Sequence, residues 1–240
     1  MKFFLVIISL FLLSLSGHSQ DTWYKYPGNP VIDFGEGDGS GFQACAFEIL
    51  HEDGVYRMWF SNWSWDKSFT SLNFGTSPDG IHWDIFDASP VKFSCQGRAW
   101  DLGLGFFDIL KIDSTYYMWY SASDTNQEYW GIGLAYSADG LDWVKYPEPL
   151  IYPTGGIPQV AFNGKQYYMT WVGHKQFRPF RFETYLEISP DGVHWKLYSD
   201  EPCIPHGEAG SWDSHDVLSM CMNFNGSFFE LWYVGQDLVN

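Results

Sequence analysis

Two acidic residues occupy the same place in two copies of a repeated pattern. Glu48 lies eleven residues before Trp59, and Asp108 lies eleven residues before Trp119. The same spacing before Trp171 and Trp232 reaches Val160 and Cys221. Two carboxyls held close together resist ionising at once, so one keeps its proton where the other is already a base. A pair of this kind can protonate a leaving group and activate water, which is the chemistry that cleaves glycosidic bonds. Each acid taken alone reads equally well as a structural group that accepts backbone amides.

Three more carboxylates belong to the candidate catalytic set. Asp101 closes Gly97-Arg98-Ala99-Trp100-Asp101, and Asp213 closes Gly210-Ser211-Trp212-Asp213; Trp100 and Trp212 lie 19 and 20 residues before Trp119 and Trp232. Glu183 begins an expected strand at the same end of the fold. Trp63, Trp65, Trp100, Trp130 and Trp212 sit in loops beside Asn and Asp, and are the candidate substrate-binding aromatics. A flat apolar face next to polar tips suits a sugar ring; capping of the sheets is the plainer alternative. Arg178 and Arg181, with His174 and Lys175, form the one basic cluster. They would clamp a carboxylate or sulfate on the ligand, although charge runs are more often solvated loops. His206, Glu208, His215 and Asp216 cluster in sequence, but their spacing matches no metal-ligand signature. No metal and no cofactor is therefore expected.

The elements that must position these residues repeat. Tyr56-Arg57-Met58-Trp59-Phe60-Ser61 precedes Ser77-Pro78-Asp79-Gly80-Ile81-His82-Trp83. Tyr116-Tyr117-Met118-Trp119-Tyr120-Ser121 precedes Ser137-Ala138-Asp139-Gly140-Leu141-Asp142-Trp143, and Tyr168-Met169-Thr170-Trp171 precedes Ser189-Pro190-Asp191-Gly192-Val193-His194-Trp195. A last half-copy ends in Leu231-Trp232-Tyr233. A period of roughly 50–60 residues marks a propeller or array. In the second copy the strands are expected at Phe106–Ile112, Tyr116–Ser121, Gly131–Ser137 and Leu141–Lys145. Copy one is expected to span about Gly41–Phe86, copy three Ile157–Leu197, and copy four to start near Val217. Four-stranded blades place the Asp-Gly turns on one face, and the inner-strand entries and second-to-third hairpins on the other. Asp79, Asp139 and Asp191 then serve turns rather than catalysis. The fold expected is all-β: a β-propeller of four-stranded blades, of five-bladed type, with about three and a half blades present. The fourth copy stops at Asn240 after its second strand, so the ring is expected to lack about a blade and a half.

Composition agrees. Aromatic residues make up 20% of the chain, with 24 glycines, and short aromatic runs punctuated by Gly, Asp and Pro read as strands and turns. A net charge of −16 argues against nucleic acid, whose phosphates need clustered Lys and Arg. Residues 1–19 read as a secretory signal, with Lys2 before an apolar run from Phe3 to Leu15, and residues 20–240 as the propeller domain. Nothing after it is apolar enough to span a bilayer, so the protein is expected to be secreted, extracellular or periplasmic. Cys45, Cys95, Cys203 and Cys221 allow three disulfide pairings. Cys45 and Cys221 read equally as small apolar strand residues.

On the strength of the Tyr-Tyr-Met-Trp-Tyr-Ser and Ser-Pro-Asp-Gly-x-x-Trp motifs, nearly all of the mature chain resembles the five-bladed propeller superfamily of arabinanases, β-xylosidases, levansucrases and invertases. The blades are most similar to those of glycoside hydrolase family 43. That resemblance implies inversion at the anomeric carbon by an Asp base on blade one, a pKa-tuning Asp on blade two and a Glu acid on blade three. The blade-two pattern is matched by Asp108-Ile109-Leu110-Lys111. The blade-one Asp is not: Ala46-Phe47 stands there, with Glu48 nearby. Gly155-Gly156-Ile157-Pro158 stands where the blade-three Glu is expected. The function expected is hydrolysis of a poly- or oligosaccharide by paired carboxylates at the channel mouth; the alternative is a non-catalytic glycan-binding propeller. A carbohydrate is the expected partner, with neither nucleic acid nor membrane.

Overall fold

The computed structural model describes residues 24–32, 43–64, 67–86, 91–94, 101, 103–123, 130–152, 156–173 and 181–237. The first repeat forms β1 (Gln43–Glu52), β2 (Val55–Ser64), β3 (Lys67–Ser77) and β4 (Asp84–Ile85), paired in that order. Asp53 and Gly54 between β1 and β2 both adopt left-handed φ, 51° and 79°. A two-residue hairpin turn needs this to match the twist of its strands. Blade two contains β5 (Lys92–Ser94), β6 (Gly103–Ile112), β7 (Thr115–Ser123), β8 (Trp130–Ser137) and β9 (Asp142–Lys145). Blade three is β10 (Gly156–Phe162), β11 (Tyr167–Gly173), β12 (Glu183–Ser189) and β13 (Lys196–Leu197), and β14 (Asp216–Phe224) with β15 (Phe229–Gln236) begin a fourth. Among the described residues every element is a strand, and the all-β reading holds.

One strand was not expected. β5 pairs parallel to β9 and gives blade two the order β5-β9-β8-β7-β6. The connection from blade one thus runs along the outer edge of blade two and covers an otherwise unpaired strand.

The blades stack face to face through their tryptophans. Trp59 and Trp119 are almost wholly buried. The indole Nε1 of Trp59 donates to the carbonyl of Gly140 in blade two at 2.7 Å, and that of Trp119 to Gly192 in blade three at 2.9 Å. Each donor thus reaches the Asp-Gly turn of the next blade. Within each turn the aspartate serves the backbone. Asp139 Oδ1 accepts from Leu141 N at 2.8 Å and Asp142 N at 2.9 Å, and Asp79 and Asp191 repeat the arrangement. These amide bonds hold Asp139 below the usual carboxylate range. The turn aspartates are structural.

The four inner strands β1, β6, β10 and β14 lie side by side in that order. They form one wall of packed inner strands. Apolar flanks remain exposed at the two ends of the series: Phe47 and Ile49 on β1, and Trp232 and Val234 on β15.

Candidate functional site

Register explains why an acid recurs at one level of the wall. Glu48 pairs with Trp59 across the β1–β2 ladder, and Asp108 pairs with Trp119 across β6–β7. Because side chains alternate along a strand, each acid shares a face with its tryptophan and looks toward the next blade. Just before this level every inner strand departs from regular pairing: between Ala44 and Ala46, Leu104 and Phe107, Gly156 and Gln159, and Ser219 and Cys221. Such bulges re-aim side chains and are frequent beside functional sites. In blade three the irregularity includes Ile157 at φ 48°, a backbone conformation that β-branched residues rarely adopt.

The carboxyls of Glu48 and Asp108 hydrogen-bond each other across the seam between blades one and two. Asp108 is buried, at 6% exposure, and also accepts a bond from the backbone N–H of Val160 in blade three. Burial pushes Asp108 up to about 6, against the pull of the Val160 amide and of Glu48. Glu48 is raised well above the ordinary range, first by burial and then by the charge and hydrogen bond of Asp108. The proton therefore resides on Glu48, which donates to the Asp108 carboxylate. The contact is much closer than the roughly 5–9.5 Å that separates acid and base in glycosidases. Chemically, the pair is one proton shared by two groups.

The other expected acids are engaged elsewhere. Asp101 accepts from the Tyr120 hydroxyl at 3.1 Å and is paired with Lys145 at 2.8 Å. Asp213 accepts from the Tyr233 hydroxyl at 3.2 Å and from Ser211 at 2.7 Å. The two are equivalent: each pins the segment entering its blade to a tyrosine one residue beyond the repeat tryptophan. Glu183 accepts from the hydroxyl of Tyr185. Arg181 donates to the carbonyl of Ser214 at 2.8 Å, which ties it to the approach to blade four. Trp212 is 58% exposed, with one face stacked on Tyr233 at 5.3 Å between centroids. Trp65, Trp100 and Arg178 lie outside the described residues, as do the side chains of Trp63 and Trp130 and residues 1–19, where a secretory signal is expected.

One reading by spacing alone is corrected. Val160 is not the blade-three counterpart of Glu48 and Asp108, because it pairs with Met169 rather than Trp171. The β10–β11 hairpin is closed by Phe162 and Tyr167, two residues longer than the turn between Glu52 and Val55, and this shifts the count. Cys221, by contrast, does pair with Trp232. It is a strand residue, as expected, but exposed; its thiol and that of Cys203 are free, so neither is half of a disulfide.

Beside the level of Asp108, Leu110, Val160, Phe162, Met222 and Phe224 line a small cleft. Polar and apolar surface line it in near-equal measure, with Lys111 and Asn223 among its residues. Lys111 is paired with Glu52 at 3.0 Å.

The arrangement of blades recurs in solved structures. A glycosyl hydrolase from Bacteroides ovatus superposes with a TM-score of 0.66 over 83% of this chain and 62% of its own, at 16% identity. The β-1,2-mannobiose phosphorylase of Listeria innocua, solved with β-1,2-mannobiose, gives 0.68 over 90% and 76%, at 13% identity. An N-acetylgalactosamine deacetylase from F. plautii, in complex with blood group B trisaccharide, gives 0.60 over 85% and 66%, at 17% identity. This chain has the β-propeller fold seen in glycoside hydrolases. It spans less than two thirds of the length of the B. ovatus protein. No protein-family model matches the sequence, and no curated protein does.

Proposed function

We propose that this protein is a secreted carbohydrate-active propeller that hydrolyses a glycosidic bond, with Glu48 as proton donor. The shared proton of Glu48 and Asp108 carries this reading. A carboxyl held protonated near neutral pH is what a general acid needs to protonate a departing sugar oxygen. Asp108 holds the Glu48 carboxyl in place and keeps its proton available. Because the two are in contact, the pair supplies one role and not two. The base that activates water is drawn from the entry end of the blades, where Glu183, Asp101 and Asp213 stand, with Glu183 and Asp213 the candidates not tied to a lysine. Trp212, anchored on Tyr233 with its other face open, offers a stacking platform for a sugar ring.

A specific observation favours a second reading. Asp101, Asp213 and Glu183 are each already bonded to a tyrosine, and Glu48 and Asp108 do not stand at a glycosidase spacing. A propeller that binds glycans without cleaving them would look the same. The readings separate on a panel of aryl-glycosides, plant polysaccharides and immobilised glycans. Release of reducing sugar that is abolished in Glu48→Gln supports hydrolysis. Binding with no turnover, unchanged in Glu48→Gln, supports the lectin. Neither binding nor turnover across the panel would overturn the carbohydrate reading.

A further inference from the structure

The register that aligns Glu48 and Asp108 also places a third residue at the same level. Cys221 pairs with Trp232 as Glu48 pairs with Trp59 and Asp108 with Trp119. It directly follows the irregularity of its inner strand, as Asp108 follows that of β6. β14 packs on β10, which packs on β6, which packs on β1, so Cys221 stands at the same level as Glu48 and Asp108 in one run of packed inner strands. Cys221 is exposed and its thiol is free. We infer that Cys221 is a further member of the site centred on Glu48 and Asp108, lining it from the fourth blade as a specificity-determining residue. The inference rests on the functional reading above for its ligand, though not for its geometry.

The charges of the pair reach this thiol. Partial desolvation of the sulfur pushes Cys221 up, and Glu48 and Asp108 push it further. It therefore stays a neutral thiol at physiological pH, and a thiolate nucleophile is disfavoured there. What it offers a ligand is a small, polarisable, weakly hydrogen-bonding surface beside two acids. That combination favours the C–H face of an uncharged sugar and disfavours a carboxylate or phosphate, which would add a further negative charge to the same level.

The experiment introduces a charge at this position and reads the pair. In Cys221→Asp, carboxyl carbon NMR of Asp108 and Glu48 should show titration moved upward by about half a pH unit or more, as expected for a new carboxylate within several ångströms at intermediate dielectric. Ser227→Asp, which adds the same charge in the exposed β14–β15 turn, should leave it unmoved. A folded Cys221→Asp protein whose pair titrates as in the wild type overturns the inference. If that variant does not fold, carboxymethylation of Cys221 by iodoacetate, in folded protein in which Cys45, Cys95 and Cys203 are replaced by Ser, delivers the same charge and is read the same way. The glycan panel forms a separate arm. A shifted titration without any glycan bound leaves the placement of Cys221 standing and removes the carbohydrate reading. Tighter binding of uronic-acid glycans than of neutral ones, with the titration shifted, overturns the preference for uncharged sugar.

Discussion

The indole of Trp59 donates to the carbonyl of Gly140 at 2.7 Å, and neither residue belongs to the same blade. Trp119 repeats this bond to Gly192, whereas Trp171 donates within its own blade to Glu187 at 3.3 Å. The first two bonds therefore hold seams between blades, and the third does not. Trp59→Phe should cost about 0.5–1.5 kcal/mol, because it removes a buried hydrogen bond across the seam, while the Gly140 carbonyl keeps the Trp143 indole as a donor at 2.9 Å. Trp171→Phe should cost less, since the Glu187 carboxyl, already raised by burial, can protonate. Denaturant midpoints of the two variants measure the difference; an equal loss would mean that the seam bond is not what the tryptophan contributes.

Glycine substitutions in the turns should follow the same seams. Gly80, Gly140 and Gly192 all sit at φ between 76° and 80°, so alanine at any of them incurs a backbone penalty of about 1–2 kcal/mol. A Cβ at Gly140 would also lie 2.7 Å from Trp59, one at Gly192 3.1 Å from Trp119, and one at Gly80 no nearer than 3.7 Å to Tyr56. Overpacking adds roughly 1–3 kcal/mol where the neighbour cannot move. Thermal unfolding should therefore rank Gly140→Ala as the most destabilised, Gly192→Ala next and Gly80→Ala least. Any other order would show that the indoles yield more easily than their burial implies.

The repeats explain how much of this was legible. Trp, Tyr and Met alternating over six residues, followed by Ser-x-Asp-Gly-x-x-Trp, dictate a half-buried strand and a turn stabilised by its own aspartate, and both formed where expected. The second-copy strands match to within three residues at either end. Strand β5 was not legible, since Lys92–Ser94 carries no alternation and pairs only because the chain passes the edge of β9 on its way inward. Counting residues found Glu48, Asp108 and Cys221, and failed at Val160, because a longer hairpin shifts the register without leaving a mark in the apolar pattern. The contact between Glu48 and Asp108 was legible as convergence and not as distance. How closely two strands approach is decided by the packing of Trp59 and Tyr116 between the blades, which no periodicity encodes.

Stability should fall with rising pH on the strength of the carboxyl pair. Asp108 titrates near 6 in the folded protein and near 4 in an unfolded chain. Between these values the folded state binds more protons than the unfolded one, so the free energy of unfolding decreases as pH rises. Asp108 contributes a decline on the order of 2–3 kcal/mol from about pH 4 to 6, and Glu48, raised as well, extends it upward. The turn aspartates act oppositely: Asp139 is lowered, so its contribution is present above about pH 4 and lost below. Urea unfolding from pH 3 to 8 should show a maximum near pH 4–5. In Asp108→Asn the decline above pH 5 should flatten; a decline that persists unchanged would place its origin outside the pair.

The final prediction separates the two carboxyls. Burial is the main cause of the raised titration of Asp108, while the bond donated by Glu48 lowers it. A reading in which mutual repulsion alone raises both groups predicts that any neutral residue at position 48 lets Asp108 fall. The observed geometry predicts something different. Glu48→Gln keeps a donor, so Asp108 should titrate in a single step near 6, and the higher step that belongs to the pair should vanish. Glu48→Leu removes the donor and leaves the burial, so Asp108 should titrate distinctly higher than in Glu48→Gln. Carboxyl carbon NMR on selectively labelled protein resolves the steps, and the upper limb of a pH–rate profile offers a second readout where turnover is found. Equal titration of Asp108 in the Gln and Leu variants would mean that Glu48 does not donate to it, and the shared proton would have to be abandoned as the basis of the site.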